Sequence, residues 1–121
     1  MSKFENKVDF AVLVSAKNAN PNGDPLLDNR PRTDYNGFGE ISDVCIKRKI
    51  RNRMQDKGCE IFVKSDDRAD DGYSSLKERA DWLKDEKDWT VFQEKACEKW
   101  LDVRTFGQLF PFDSFGCKSV G

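Results

Sequence analysis

Apolar and polar residues alternate along this chain in short blocks, and the period of each block predicts an element. Val8 to Ala16 reads V-D-F-A-V-L-V-S-A, β-branched and aromatic, bounded by polar residues and too short for a convincing helix. It predicts a strand buried on both faces, with Phe10, Val12 and Val14 pointing one way and Ala11 and Leu13 the other. From Asp43 to Lys57 the period lengthens. Ile46, Ile50 and Met54 fall at i, i+4 and i+8 and form the buried stripe of a helix capped by Ser42 and stopped by Gly58. Glu60 to Lys64 (E-I-F-V-K) predicts a short second strand. Ser74-Ser75 caps a helix to Lys84, with Leu76, Ala80 and Leu83 on one side. Another helix follows Asp88, with Val91, Phe92, Ala96 and Trp100 as its apolar set. The final block, from Pro111 onward, predicts a loop entering a strand at Ser119 to Gly121.

Strand, helix, strand is the opening half of a ferredoxin-like or RNA-recognition-type α+β sandwich. Two strands and the start of a third do not complete a four-stranded sheet. The pattern therefore implies a fragment, or a small protein that borrows sheet edges from a partner.

Between the first strand and the first helix lies a stretch of 26 residues, Lys17 to Ser42, where strand-to-helix connections usually take roughly 2 to 6. Its sequence is not that of a flexible linker. Asn20-Pro21, Asn22-Gly23 and Asp24-Pro25 are three consecutive turn dipeptides. Pro presets φ, Gly permits positive φ, and Asn or Asp bonds its own backbone. Tyr35, Phe38 and Ile41 add apolar surface, and Arg30-Pro31-Arg32 sets two guanidinium groups around a fixed bend, a geometry suited to phosphate oxygens.

Charge changes the picture when it is counted by region. The 121 residues carry a net charge of -1. Arg30 to Lys57, however, holds eight Lys or Arg against four acids, and Cys59 to Leu101 holds eight against twelve. The basic region can meet phosphates although the whole chain is nearly neutral. Cys45, Cys59, Cys97 and Cys117 include no C-x-x-C pair, and His is absent, so no zinc set forms and the commonest general base is missing. Free thiols without a signal peptide imply a reducing cytoplasm. No apolar run approaches the ~20 residues that span a bilayer.

The candidate chemistry follows the basic region. At 100° per residue, Lys47, Arg48 and Arg51 lie together beside the apolar stripe, and Lys49 and Arg53 flank its other edge. The turn at Asn20, Asn22, Gly23 and Asp24 is either a well-made turn or a concave nest of amides for a phosphate. Asp24 and Asp28 could bind Mg²⁺. Asp66, Asp67, Asp70 and Asp71 lack the spacing of a calcium loop and predict a solvated acidic loop. Asp102 and Arg104 can brace each other, with Phe106 in the core, or touch RNA or protein, and Gly107 relieves a tight bend. Trp82, Trp89 and Trp100 are core or interface residues.

The blocks N-A-N-P-N-G-D-P, N-R-P-R-T-D, S-D-V-C-I-K-R-K-I-R-N and D-V-R-T-F-G-Q resemble, in this order, the repeating backbone subunit of CRISPR type I Cascade, specifically its type I-C (Dvulg) branch. The resemblance covers Val8 to Gln108 and is weaker between Asp66 and Lys99. It implies an incomplete RNA-recognition-motif-like (ferredoxin-like) α+β palm with an inserted helical segment, of the superfamily of repeat-associated RNA-binding proteins. On this reading residues 1–121 are the N-terminal part of one such domain, with roughly the C-terminal half missing. Residues 8–64 form the palm, 65–101 an acidic helical insertion and 102–121 the start of the next palm elements.

The same resemblance implies a cytoplasmic, non-catalytic protein of antiviral defence with no cofactor, no metal and no membrane partner. Copies would stack head to tail into a filament with other Cascade subunits and grip the phosphates of the guide RNA (crRNA), leaving base edges free for target DNA. The residues expected to bind RNA are Asn20, Asn22, Gly23, Arg30, Arg32, Thr33, Lys47, Arg48, Arg51 and Arg104. Two other readings stay open: a truncated mimic, for example phage-borne, that blocks Cascade assembly, and a metal-dependent ribonuclease of the type III kind using Asp24.

Overall fold

The turn dipeptides fold as their chemistry dictates. In the computed structural model, which describes residues 5–111 and 118–121, they build an antiparallel hairpin of β1 (Gly23–Asp24) and β2 (Arg30–Pro31), pairing Gly23 with Pro31 and Asp24 with Arg30. Leu27 N and Asn29 N donate to the Asp24 carbonyl at 3.1 and 2.9 Å, and Leu26 N donates to Asp24 Oδ1 at 2.9 Å. Asp28 and Asn29 close the turn at φ 52° and 57°, a left-handed conformation that their short polar side chains tolerate. A second turn follows. Thr33 bridges Gly39, Asp34 Oδ1 accepts from Asn36 N and Phe38 N at 2.9 Å each, and Gly37 takes φ 83°.

The chain divides into two compact units, Met1–Ser42 and Asp43–Gly121. None of the described residues of the first unit is buried. The strand expected at Val8 to Ala16 is not formed, and its side chains stand in solvent, Phe10 82% and Leu13 98% exposed. A strand needs a ladder partner for its amides and carbonyls, and the described residues offer this segment none.

The second unit begins with α1 (Asp43–Asp56). Its end is a Schellman motif, as Gly58 predicts: Cys59 N donates to the Met54 carbonyl at 3.0 Å and Gly58 N to Gln55 at 2.9 Å, with Gly58 at φ 78°. Its apolar stripe corrects the sequence expectation, because no residue of α1 is buried and Ile46 and Ile50 remain 41% and 39% exposed. The helix instead turns polar side chains, Arg48, Arg51 and Gln55, to partners elsewhere in the unit, and the Asn52 carbonyl accepts from Arg68.

The core collects Phe62, Phe92, Trp100 and Phe110 with Ala80, Leu83, Ala96, Val103 and Val120. Three further helices supply most of it. The first is α2 (Leu76–Ala80), continued by a 3-10 turn over Asp81–Leu83; α3 (Trp89–Lys99) and α4 (Leu101–Phe106) follow. Ser75 caps α2 by accepting from Glu78 N, and Asp88 caps α3 by accepting from Thr90 N and Val91 N. β3 (Gln108–Phe110) pairs antiparallel with β4 (Lys118–Val120), so the terminal strand expected at 119–121 has a partner that precedes it. Gly107, at φ 74°, is required between α4 and β3, since a Cβ there would lie 2.8 Å from the Val120 carbonyl. The loop expected at 112–117, with Cys117, lies outside the described residues.

The strand expected at Glu60 to Lys64 is also absent, and here the reason is visible. Side chains take the hydrogen bonds that a neighbouring strand would take: Asp102 accepts from Phe62 N and Val63 N, Arg79 donates to the Phe62 carbonyl, and Arg48 donates to the Val63 carbonyl. Ile61 and Phe62 are fully buried without a ladder. The whole is mixed α and β, consistent with an α+β class.

Candidate functional site

In the first unit the hairpin fixes the predicted residues by hydrogen bonds. Asn20 Nδ2 donates to the Asn29 carbonyl at 2.7 Å, and Asn22 Oδ1 accepts from both Ser42 N and Ser42 Oγ at 2.8 and 3.0 Å. Gly23 leaves room for the Asn29 side chain, whose Oδ1 would lie 1.8 Å from a Cβ there and would have to swing aside. Arg32 N donates to the Asn22 carbonyl, while its guanidinium pairs with Glu40 at 3.0 Å, half-exposed. Asn22 and Arg32 line one shallow groove with Pro21, Pro31 and Glu40. Arg30 and Thr33 are exposed beside it. The structure thus brings Asn22, Arg32 and the Gly23 turn together, with the Asn22 amide and Arg32 Nε already partnered. Asp24 and Asp28 serve the same turn, Asp24 by its bond to Leu26 N and Asp28 by its positive φ.

In the second unit the predicted bases of α1 separate into two kinds. Arg48 and Arg51 are half-buried and bonded inward: Arg48 to the Val63 carbonyl at 2.9 Å, Arg51 Nε to Asp102 Oδ2 at 2.9 Å. Burial, then the nearby Arg51 cation, lowers the Arg48 guanidinium below its ordinary range. Lys49 and Arg53, placed by the sequence pattern on the other edge, are the exposed cations. Lys47 lies between the two kinds, paired with Asp43 at 3.2 Å and 5.9 Å from the centre of the Phe106 ring. The Arg51 guanidinium carbon lies over the same ring, 5.0 Å from its centre. Arg104 is exposed on α4.

Asp102 is the residue whose position sequence reasoning did not foresee. It is buried, and its two oxygens bind Arg51, Phe62 N and Val63 N, not the neighbouring Arg104 that the spacing suggested. The signal that could have found it is a lone carboxylate inside L-D-V-R-T-F, where burial demands donors.

The acidic loop corrects a further expectation, for Asp70 and Asp71 are not simply solvated. Both pair with Lys64, whose side chain is buried, and Asp71 also takes two bonds from the buried Arg79 at 2.6 and 3.0 Å. Arg79 and Lys64 hold the Asp71 carboxyl well below the usual range, Arg79 most strongly. Burial pulls the Lys64 ammonium down, but its hydrogen bonds to Asp70 and Asp71 outweigh that and raise it. Much of the negative charge in this region is thus neutralised internally. Cys45, Cys59 and Cys97 are not joined in disulfides. Among the described residues no group of three metal-ligating side chains forms, and no helix is long and apolar enough to cross a membrane.

Comparison with known proteins adds two findings. The family model for "CRISPR-associated protein Cas7" matches residues 6–121. A curated relative, the CRISPR-associated protein Cas7 of Haloferax volcanii, is 34% identical over 114 residues, which cover 90% of this chain and 34% of the relative. The chain spans about a third of the length of the curated relative it matches.

Proposed function

We propose, from the premise that this chain belongs to the CRISPR-associated Cas7 family, that it binds guide RNA through phosphate contacts and acts by assembly without catalysing a reaction. The observation that carries the reading is the run of bases from Arg30 to Lys57. Arg30, Lys49, Arg53 and Lys57 are exposed there, and Arg32 and Lys47 are part-exposed. Exposed cations attract phosphates whatever the sequence, and few aromatic residues accompany them to read bases. The hairpin contributes Asn20, Asn22, Gly23, Arg30, Arg32 and Thr33, and the helical unit contributes Lys47, Arg48, Arg51 and Arg104, to which the exposed Lys49 and Arg53 are added.

The finer features belong to the same proposal: the type I-C branch, a filament of neighbouring copies with other Cascade subunits, target DNA reached through the guide, and a cytoplasmic setting. An RNA-recognition-like palm is proposed too. The near-continuous apolar run of Val8 to Ala16 supports it, since a segment apolar on both faces is stabilised inside a covered sheet. The turn bond of Asp24 supports the non-catalytic reading.

The test is binding of the full chain to a fluorescein-labelled single-stranded RNA of mixed sequence. Affinity should rise steeply as salt falls, and Arg30→Ala, Lys49→Ala and Arg53→Ala should each lower the slope of log K against log[salt] by about 1. No binding at low salt, or binding indifferent to salt and to these changes, overturns the proposal.

A further inference from the structure

Arg51 presents a half-used guanidinium. Its Nε is bonded to Asp102 and its guanidinium carbon lies over the Phe106 ring, yet its terminal nitrogens have no acceptor among the described residues. Among the described residues no buried side-chain nitrogen or oxygen lacks a partner, so those terminal nitrogens reach solvent although the side chain as a whole is only 13% exposed. A guanidinium bonded at Nε and lying over a ring has lost most of its rotamer freedom and keeps its outer edge for a planar pair of acceptors, such as two oxygens of a phosphate.

Asp102 sets this arrangement. It is buried, and its other bonds, to Phe62 N at 2.7 Å and Val63 N at 3.0 Å, tie it to a fixed backbone. The carboxylate therefore cannot follow Arg51 outward, and Arg51 is held to one place on α1 against α4. We infer that Asp102 is a positioning residue that aims the outer edge of Arg51 at a backbone phosphate of bound RNA, an inference that rests on the RNA-binding reading above. Asp102 itself touches no RNA.

The sign of one substitution separates positioning from plain electrostatics. Asp102→Asn removes an anion from beside a proposed phosphate contact, and Coulomb attraction alone then predicts tighter RNA binding. Positioning predicts weaker binding, because an amide cannot serve three donors and Arg51 is released.

The experiment is a double-mutant cycle on RNA affinity with the full chain and the labelled single-stranded RNA, folding being checked by circular dichroism. Arg51→Ala should weaken binding about tenfold and lower the salt slope by about 1. Asp102→Asn should weaken it several-fold in the wild-type background and not at all in the Arg51→Ala background. Phe106→Leu, which spares the carboxylate and replaces the ring, should give a smaller loss with the same dependence on Arg51. It carries the test if Asp102→Asn does not fold. Tighter or unchanged binding by a folded Asp102→Asn chain, or a loss from Phe106→Leu that persists without Arg51, overturns the inference while the RNA-binding reading stands. Absence of RNA binding by the wild-type chain overturns both.

Discussion

The two units hold their shapes by different means. In Met1–Ser42 the chain is fixed by local hydrogen bonds, Asp24 and Asp34 each organising a turn, while Phe10, Leu13, Tyr35 and Phe38 stand in solvent. In Asp43–Gly121 four large aromatic rings pack in one core. Charged groups, Asp102, Arg79 and Lys64, replace a missing strand partner or pair behind it. The contrast teaches that stiffness and burial are separable. A turn can be rigid with no core beneath it, because its polar groups are satisfied within a few residues. A buried segment without a ladder needs side chains from afar.

The comparison would break most visibly at Asp102. Asp102→Ala leaves Phe62 N, Val63 N and the Arg51 cation without their acceptor, and should destabilise the second unit by about 3 to 5 kcal/mol in urea denaturation. A loss below about 1 kcal/mol would mean that water replaces the carboxylate freely.

Acid should act next, through Asp71. Its carboxyl is lowered in the folded state, so the unfolded chain binds more protons. The stability Asp71 contributes is complete above the ordinary aspartate value of about 4 and is lost as the pH falls below it. Asp71→Asn should flatten that limb of the stability curve, and an unchanged acid limb would remove the Asp71–Arg79 pair from the account.

In the first unit, Gly23→Ala sets a methyl against the Asn29 side chain, which can swing aside, and should cost only about 0.5 to 1 kcal/mol, read as faster hydrogen exchange at Asn29 and Arg32. The smallest effect sharpens the contrast. Phe10→Ala, although it removes an aromatic ring, should change stability by less than about 0.5 kcal/mol, because that ring is in water. A larger loss would mean that Val8 to Ala16 is packed in solution.

These differences explain what the sequence revealed. Helix ends were legible because caps act locally: Asp88 at α3, Ser75 at α2 and the Gly58 stop are each set by residues within a turn of the helix end. The stiffness of the turn-rich stretch was legible for the same reason. The strands were not, because an apolar run does not state whether its ladder partner exists, and both Val8 to Ala16 and Glu60 to Lys64 lack one among the described residues. The inward face of α1 was misread for a related reason. Ile46, Ile50 and Met54 have the right period, but Arg51 and Gln55 find partners at Asp102 and Arg68, 51 and 13 residues away, which no local pattern announces. Of the candidate site, the charge of the Arg30 to Lys57 region was visible in the sequence. Which bases turn inward was not.

The most direct test is the salt dependence of RNA binding by the full chain, measured by fluorescence anisotropy between about 50 and 200 mM salt. The account predicts a linear fall of log K with log[salt], with a slope that decreases by about 1 for each of Arg30, Lys49 and Arg53 changed to Ala. A flat line, or a slope unmoved by all three changes, would contradict it.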